Sequence, residues 1–281
     1  MTQLHDLTAL QLATAYERGE TTPAEVVDHL LARIEDGDRV GAFTTVSADR
    51  ARAAAAAAGR TLRASDRAEL PRLFGVPTAV KDLEATAGVR TTLGSALFHD
   101  WIPEHNDEIV DIMAEAGLIS LGKTTVPEFG AACYTEPEVS APARSPFDLT
   151  RSAAGSSGGA AAAVGAFLVP IAQGSDSAGS VRSPASACGV VGLKPSRGLI
   201  MAGPNGNDGM GLSVKGPLAR TVRDTAAFLD ALTTRTGAGT VHPPRADGYE
   251  RACEAPLCFS RSCKRAAGLR ARHDCCPLSN G

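Results

Sequence analysis

Residues 153–198 read AAGSSGGAAAAVGAFLVPIAQGSDSAGSVRSPASACGVVGLKPSRG, a run dense in Gly, Ala and Ser. It holds two serine-bearing turns, Gly155-Ser156-Ser157-Gly158-Gly159 and Ser177-Ala178-Gly179-Ser180. Small residues let backbone approach backbone or ligand closely, and Gly tolerates positive φ. A flexible linker has similar composition, but it is not threaded with apolar, strand-like runs such as Phe167-Leu168-Val169-Pro170-Ile171 and Val190-Val191-Gly192-Leu193. The stretch is therefore a folded element with tight turns, and the question it poses is what its serines do.

On either side of it, helical and strand-like patterns alternate. Leu7, Leu10, Leu12 and Tyr16 predict a helix ending near Gly19. Thr22-Pro23-Ala24-Glu25 is a helix start, with Thr as N-cap, Pro at the first position and Glu closing a capping box. Val26, Val27, Leu30, Leu31 and Ile34 then form a buried stripe. Residues 42–46 predict a strand, and Ser47 to Gly59 an Ala-rich helix. Gly75 to Leu83 predicts a strand whose end carries Lys81. A helix capped by Asn106 or Asp107 leads to a strand at 118–122. Residues 124–152 predict a loop region. Helices are expected at 159–167, from near Ser180, and, preceded by Pro217 and Thr221, at Val222–Leu232. Strands alternating with helices give an α/β fold.

Composition sets outer bounds. The chain has 281 residues, 43% hydrophobic and 21% charged, ordinary values for a globular protein. A net charge of −3 gives no reason to expect a nucleic-acid or anionic-membrane partner. The first residues lack the basic region and apolar run of a signal peptide, and the run Ala160 to Ala172 is too short to span a bilayer. A soluble, cytoplasmic protein is expected, with neither metal nor cofactor, and a homodimer is compatible with the composition.

Two literal motif matches are decoys. Residues 117–124, GLISLGKT, satisfy the Walker A pattern, but the intervening residues are large and apolar and read as the strand itself rather than a phosphate loop. Gly155 to Gly159 satisfies the nucleophile-elbow pattern. There the preceding residues 147–152 are polar and turn-like, and the only downstream histidines are His242 and His273. A Ser-His-Asp site has little support. A serine hydroxyl still needs a base, and a lysine serves if burial keeps it neutral. Lys81, ending an apolar strand, is the candidate; on its own pattern, a solvated strand-end lysine is the commoner case.

The motifs then add up. Gly75-Val76-Pro77 leading to Ala79-Val80-Lys81-Asp82, Gly122-Lys123-Thr124 with Pro127-Glu128-Phe129-Gly130, and the Gly155–Gly159 turn occur in order. They are followed by Gly174 to Arg182, Cys188-Gly189, Gly192-Leu193-Lys194-Pro195 and Gly216-Pro217-Leu218-Ala219-Arg220. In this the chain resembles the amidase signature family of serine hydrolases, over about residues 5 to 235. The resemblance implies a mixed central β-sheet flanked by helices and a Ser-Ser-Lys triad. Ser180 would be the nucleophile, Ser156, held on a cis peptide, the bridge, and Lys81 the base. Backbone N–H groups of Ser177, Ala178, Gly179 and Ser180 would form the oxyanion hole, with Asp176 and Arg182 orienting the loop. Ser157 and Ser175 read as turn and capping residues, and Cys133 and Cys188 as buried small hydrophobes. Within the family, residues 134–138 and 194–198 look most like 6-aminohexanoate-cyclic-dimer hydrolases. The implied substrate is a small linear or cyclic amide.

Three residues depart from the usual pattern. Ala154 and Ala178 stand where Gly is usual, and Thr125 where Asn is common; Ala178 is tolerable unless it needs positive φ. Family members are longer. From about residue 237 the periodic pattern dissolves into a Cys/Arg-rich segment whose spacing, Cys253, Cys258, Cys263, Cys275 and Cys276, matches no usual zinc pattern. The expected division is a catalytic unit over 1–236 and an anomalous tail over 237–281, from a frameshifted or truncated reading frame. Three functional readings follow: an amidase acting through Ser180, an inactive remnant that keeps the signature, and an ammonia-releasing component like that of glutamyl-tRNA amidotransferase.

Overall fold

The helix-start signals in the N-terminal half hold. In the computed structural model, which describes residues 3–36, 38–201, 211–235 and 248–254, α1 spans Ala9–Glu17 and α2 Pro23–Glu35. Thr22 Oγ1 accepts from the Glu25 N–H and the Glu25 carboxylate accepts from the Thr22 N–H (2.8 Å), closing the capping box read from sequence. β1 (Phe43–Val46) leads into α3 (Ala48–Ala64), which runs one turn past its expected end because Gly59 is followed by further good helix formers. β2 is Pro77–Lys81, α4 Glu108–Glu115 and β3 Ile119–Thr124. The Walker-like residues are thus a buried strand, as expected.

The hairpin β4 (Arg144–Ser145) and β5 (Asp148–Ser152) follows. Residues 148–152 were expected to be a turn; they form a strand with mostly exposed side chains, so polarity reflected exposure, not lack of pairing. Then come α5 (Gly158–Gly165), β6 (Ile171–Asp176), α6 (Arg182–Ala187), β7 (Val191–Gly192), β8 (Val214–Ala219), α7 (Val222–Leu232) and α8 (Tyr249–Ala252). Two expectations need correction. The apolar run 167–171 is strand only from Ile171, because the chain turns at Phe167, whose φ is 59°. β8 was not foreseen: Gly216 and Pro217 hide a strand that pairs with β6 over its whole length.

Sheet connectivity is mixed. β3 pairs antiparallel with β1 and parallel with β2, and β8 pairs antiparallel with both β6 and β7. β2 runs beside β6, and the Lys81 N–H donates to Gln173 Oε1 across that seam (2.9 Å). Between these strands lies α5. Every residue from Gly158 to Val164 is buried, as a helix apolar all round must be. Its small side chains are needed: a Cβ at Gly159 would stand 2.4 Å from the Thr125 nitrogen. Leu12, Val26, Leu30, Ile112 and Phe228 join α5 in one core cluster.

The expected tail begins at 237, and most of it lies outside the described residues. Its described part includes α8, which packs on α7, with the Asp230 carboxylate accepting the Tyr249 and Glu250 N–H groups (2.7 and 2.9 Å). Cys188 is buried as expected. Cys133 is exposed, because it lies in the loop after Gly130 and not on a packed element. No helix among the described residues is long and apolar enough to cross a membrane.

Candidate active site

Lys81 is the largest fully buried side chain of β2, and its surroundings explain how a lysine tolerates that position. Its Nζ lies 2.8 Å from Ser156 Oγ, 3.0 Å from Ser175 Oγ and 3.3 Å from the Ser175 carbonyl oxygen. Burial drives its pKa down to about 7, against the opposing pull of Glu84 and with the help of Lys215. The neutral amine is thus a large fraction of the population near neutral pH.

Hydrogen-bond stoichiometry then limits the arrangement. A neutral amine has two donors and one lone pair. The ammonium can donate to all three oxygens; in the neutral form the Ser175 carbonyl still only accepts, so one of the two hydroxyls donates to the lysine lone pair. The hydrogen that this hydroxyl donates is in place to move onto Nζ.

Ser156 enters the site on a cis Gly155–Ser156 bond. Behind it stands Gly130, with φ 68°, where a Cβ would come within 3.3 Å of Ser156 Oγ and 2.7 Å of Leu83 Cδ1. Ser157, at the start of α5, ties the two serine turns together. Its N–H donates to the Ser180 carbonyl (3.1 Å), its Oγ accepts from the Ser175 N–H and donates to the Ser175 carbonyl, each at 3.3 Å. The Ser180 side chain is half-buried, and its hydroxyl makes none of the hydrogen bonds found among the described residues. Lys81, Ser156 and Ser175 are therefore in direct contact, while Ser180 is brought beside them through its backbone.

The loop from β6 to α6 is organised by Asp176. Its fully buried carboxylate accepts from the N–H groups of Gly179 (2.7 Å), Val181 (3.2 Å) and Arg182 (3.4 Å), and from the Arg182 guanidinium through both oxygens, at 2.9 Å each. Burial alone would raise its pKa. The guanidinium and the backbone donors outweigh it and hold the acid well below the usual carboxylate range. The consequence for the expected oxyanion donors is specific. Gly179, with φ 118°, gives its N–H to Asp176, whereas those of Ser177, Ala178 and Ser180 make no hydrogen bond among the described residues. Ala178 is not in the left-handed region, so its methyl group is accommodated; Ala154 is, at φ 59°.

Sequence reading missed Ser175, set aside as a turn residue, and the buried charges behind Lys81. Lys215 Nζ contacts both Glu84 carboxylate oxygens at 2.6 Å, and Gln173 Nε2 donates to Glu84 Oε1 (3.3 Å). Lys123 Nζ donates to the Glu84 carbonyl oxygen and to Thr86 and Thr91. The available signal was a polar side chain within or just past an apolar strand: Gln173 in β6, Lys215 in β8 and Glu84 three residues after the end of β2. Among the described residues no cluster of His, Cys, Asp or Glu could hold a metal ion.

Known proteins resemble this chain in sequence and in fold. The family description "Amidase" matches residues 25–251. A Synechocystis protein that carries an amidase designation is 42% identical over 234 residues, 83% of this chain and 46% of the relative. A glutamyl-tRNA(Gln) amidotransferase component of Halorhodospira halophila is 40% identical over 230 residues, 82% of this chain and 47% of that protein. The solved structure of 6-aminohexanoate cyclic dimer hydrolase superposes with a TM-score of 0.82 at 34% identity, covering 91% of this chain and 52% of that one. The chain spans about half the length of the curated relatives it matches.

Proposed function

The chain belongs to the amidase signature family, and from that premise we propose that it hydrolyses a carboxylic amide through an acyl-enzyme on Ser180. The observation that carries this reading is Lys81, buried and held 2.8 Å from Ser156 Oγ. Neutral Lys81 takes the Ser156 hydroxyl proton as Ser156 Oγ takes that of Ser180, whose oxygen attacks the amide carbonyl carbon. The carbonyl oxygen becomes an oxyanion facing the uncommitted N–H groups of Ser177, Ala178 and Ser180, each such donor worth about 3 kcal/mol in the transition state. The C–N bond then breaks, and the leaving nitrogen receives a proton from Ser156, resupplied by the Lys81 ammonium. Water repeats the relay to hydrolyse the ester.

The substrate is a small linear or cyclic amide, a reading supported by the likeness to the cyclic dimer hydrolase. The likeness to an amidotransferase component supports a second reading, release of ammonia from a carboxamide for a partner. A fluorophosphonate probe tests the shared chemistry on the full chain. Covalent labelling at Ser180, located by mass spectrometry and lost in Ser180→Ala, is expected. Folded protein that labels elsewhere or not at all overturns the reading and favours an inactive chain.

A further inference from the structure

Behind Lys81 lies a charge pair, its acid buried and its lysine partly so, that the reaction itself does not consume. Glu84 is 1% exposed and sits three residues past Lys81, its N–H bonded to the Lys81 carbonyl oxygen (3.0 Å). Its carboxylate receives Lys215 from β8 and Gln173 from β6. Strand register makes this placement systematic. Lys215 pairs with Ser175, and paired residues project to the same side of an antiparallel ladder. The strand that supplies two oxygens to Lys81 Nζ is thus flanked by the one that neutralises Glu84.

Gln173 links the pair to Lys81. Its Nε2 donates to Glu84 and to the Gly174 carbonyl (3.0 Å), and its Oε1 accepts the Lys81 N–H. The opposite amide flip would set oxygen against carboxylate and NH2 against N–H. Glu84 therefore fixes the flip, and the flip fixes the backbone of the lysine. The charges acting on Lys81 from each neighbouring element are Glu84 after β2, Asp176 on β6 and Lys215 on β8, with Asp82 and, on β3, Lys123 beyond them.

We propose that Glu84, Gln173 and Lys215 are positioning residues that hold Lys81 in place and balance the buried charge around it so that it can accept a proton. The proposal rests on Lys81 being the base. Glu84 alone would favour the ammonium and Lys215 alone would oppose it. As a close pair they largely cancel, which leaves burial to decide. That balance agrees with the direction in which Lys81 is shifted.

The sign of the response separates this role from simple structural support. With five lysines in the chain, lysine labelled with 13C at Cε lets NMR follow the titration of Lys81, assigned by its loss in Lys81→Met. Lys215→Met leaves Glu84 unopposed and is expected to raise the Lys81 midpoint by about one pH unit or more. Glu84→Gln is expected to lower it. The double variant, with no unpaired buried charge, is expected to return within about half a unit of the original. Where a single variant does not fold, the double variant decides: a midpoint more than about one unit away overturns the proposal. So do single variants whose midpoints move together or not at all. The titration needs no turnover. Opposed shifts in a chain that never labels at Ser180 would keep the charge balance and discard the hydrolase reading; labelling without opposed shifts would do the reverse.

Discussion

Replacing Asp176 by Asn tests whether one buried carboxylate shapes the nucleophile loop. The side chain keeps its size but loses its charge and one acceptor. Placed where Oδ1 stands, the new NH2 faces the Gly179 N–H and Arg182 Nη2; placed where Oδ2 stands, it faces the Val181 and Arg182 N–H groups and Arg182 Nε. Either choice opposes donors to donors. A hydrogen bond to a charged group contributes about 1.5–3 kcal/mol. Arg182 is half-exposed, so its share is small. Loss of the Gly179 contact and strain on its neighbours give an expected destabilisation of about 2–3 kcal/mol, read from urea unfolding. The loop that presents Ser180 and its neighbouring N–H groups also shifts. A misplacement of about 1 Å costs about a hundredfold in rate, which fluorophosphonate labelling measures. The pH sign is fixed as well. The folded carboxylate is depressed below its unfolded value of about 3.9, so its contribution is complete above about pH 4 and is lost as pH falls toward the folded value. Asp176→Asn lacks this loss. A variant within about 1 kcal/mol of the original that labels within about twofold would refute the reasoning.

Ser175→Ala removes one partner of Lys81 Nζ while leaving Ser156 in place; labelling at Ser180 is expected to slow about tenfold, and an unchanged rate would return Ser175 to a turn role. Gly130→Ala adds a methyl group at φ 68° against Leu83 and Ser156, and is expected to cost about 1–2 kcal/mol in denaturant unfolding and to slow labelling too. Thr22→Ala breaks the α2 cap, far from the serine turns; a stability loss of about 1 kcal/mol with labelling unchanged is expected, and slowed labelling would show that the site senses the N-terminal helices.

Most of the architecture was legible because local chemistry and tertiary context agree. Thr22 with Glu25, and Thr221 ahead of α7, mark helix starts through hydrogen bonds a few residues long. Lys81, Ser156 and the loop ending at Ser180 were legible as an ordered set of motifs. What stayed hidden depends on distant partners. β8 is a strand because β6 and β7 flank it, despite Gly216 and Pro217. Ser175 looks like any turn serine until Lys81 arrives from 94 residues away, and Glu84 and Lys215 become a pair only across 131 residues. Gly179 was read as an oxyanion donor because sequence cannot show that Asp176 engages its N–H.

The burial of Lys81 also makes the act of folding a proton-transfer equilibrium with the buffer. In the unfolded chain this amine titrates near 10.4, whereas in the fold it does so at about 7, and Lys123, also buried, is lowered to about 8. Between those values the two lysines leave the unfolded chain with more bound protons than the native one, and the buried Cys188 thiol, pushed up to about 12, offsets only part of this above about pH 9. Stability therefore rises with pH from about 7 to about 10, and its lysine-linked part is lost as pH falls back through that window. Unfolding near pH 8.5 should draw protons from solution. Calorimetry in buffers of different ionisation enthalpy would register that uptake, and heats independent of buffer would mean that the lysines enter the fold still charged.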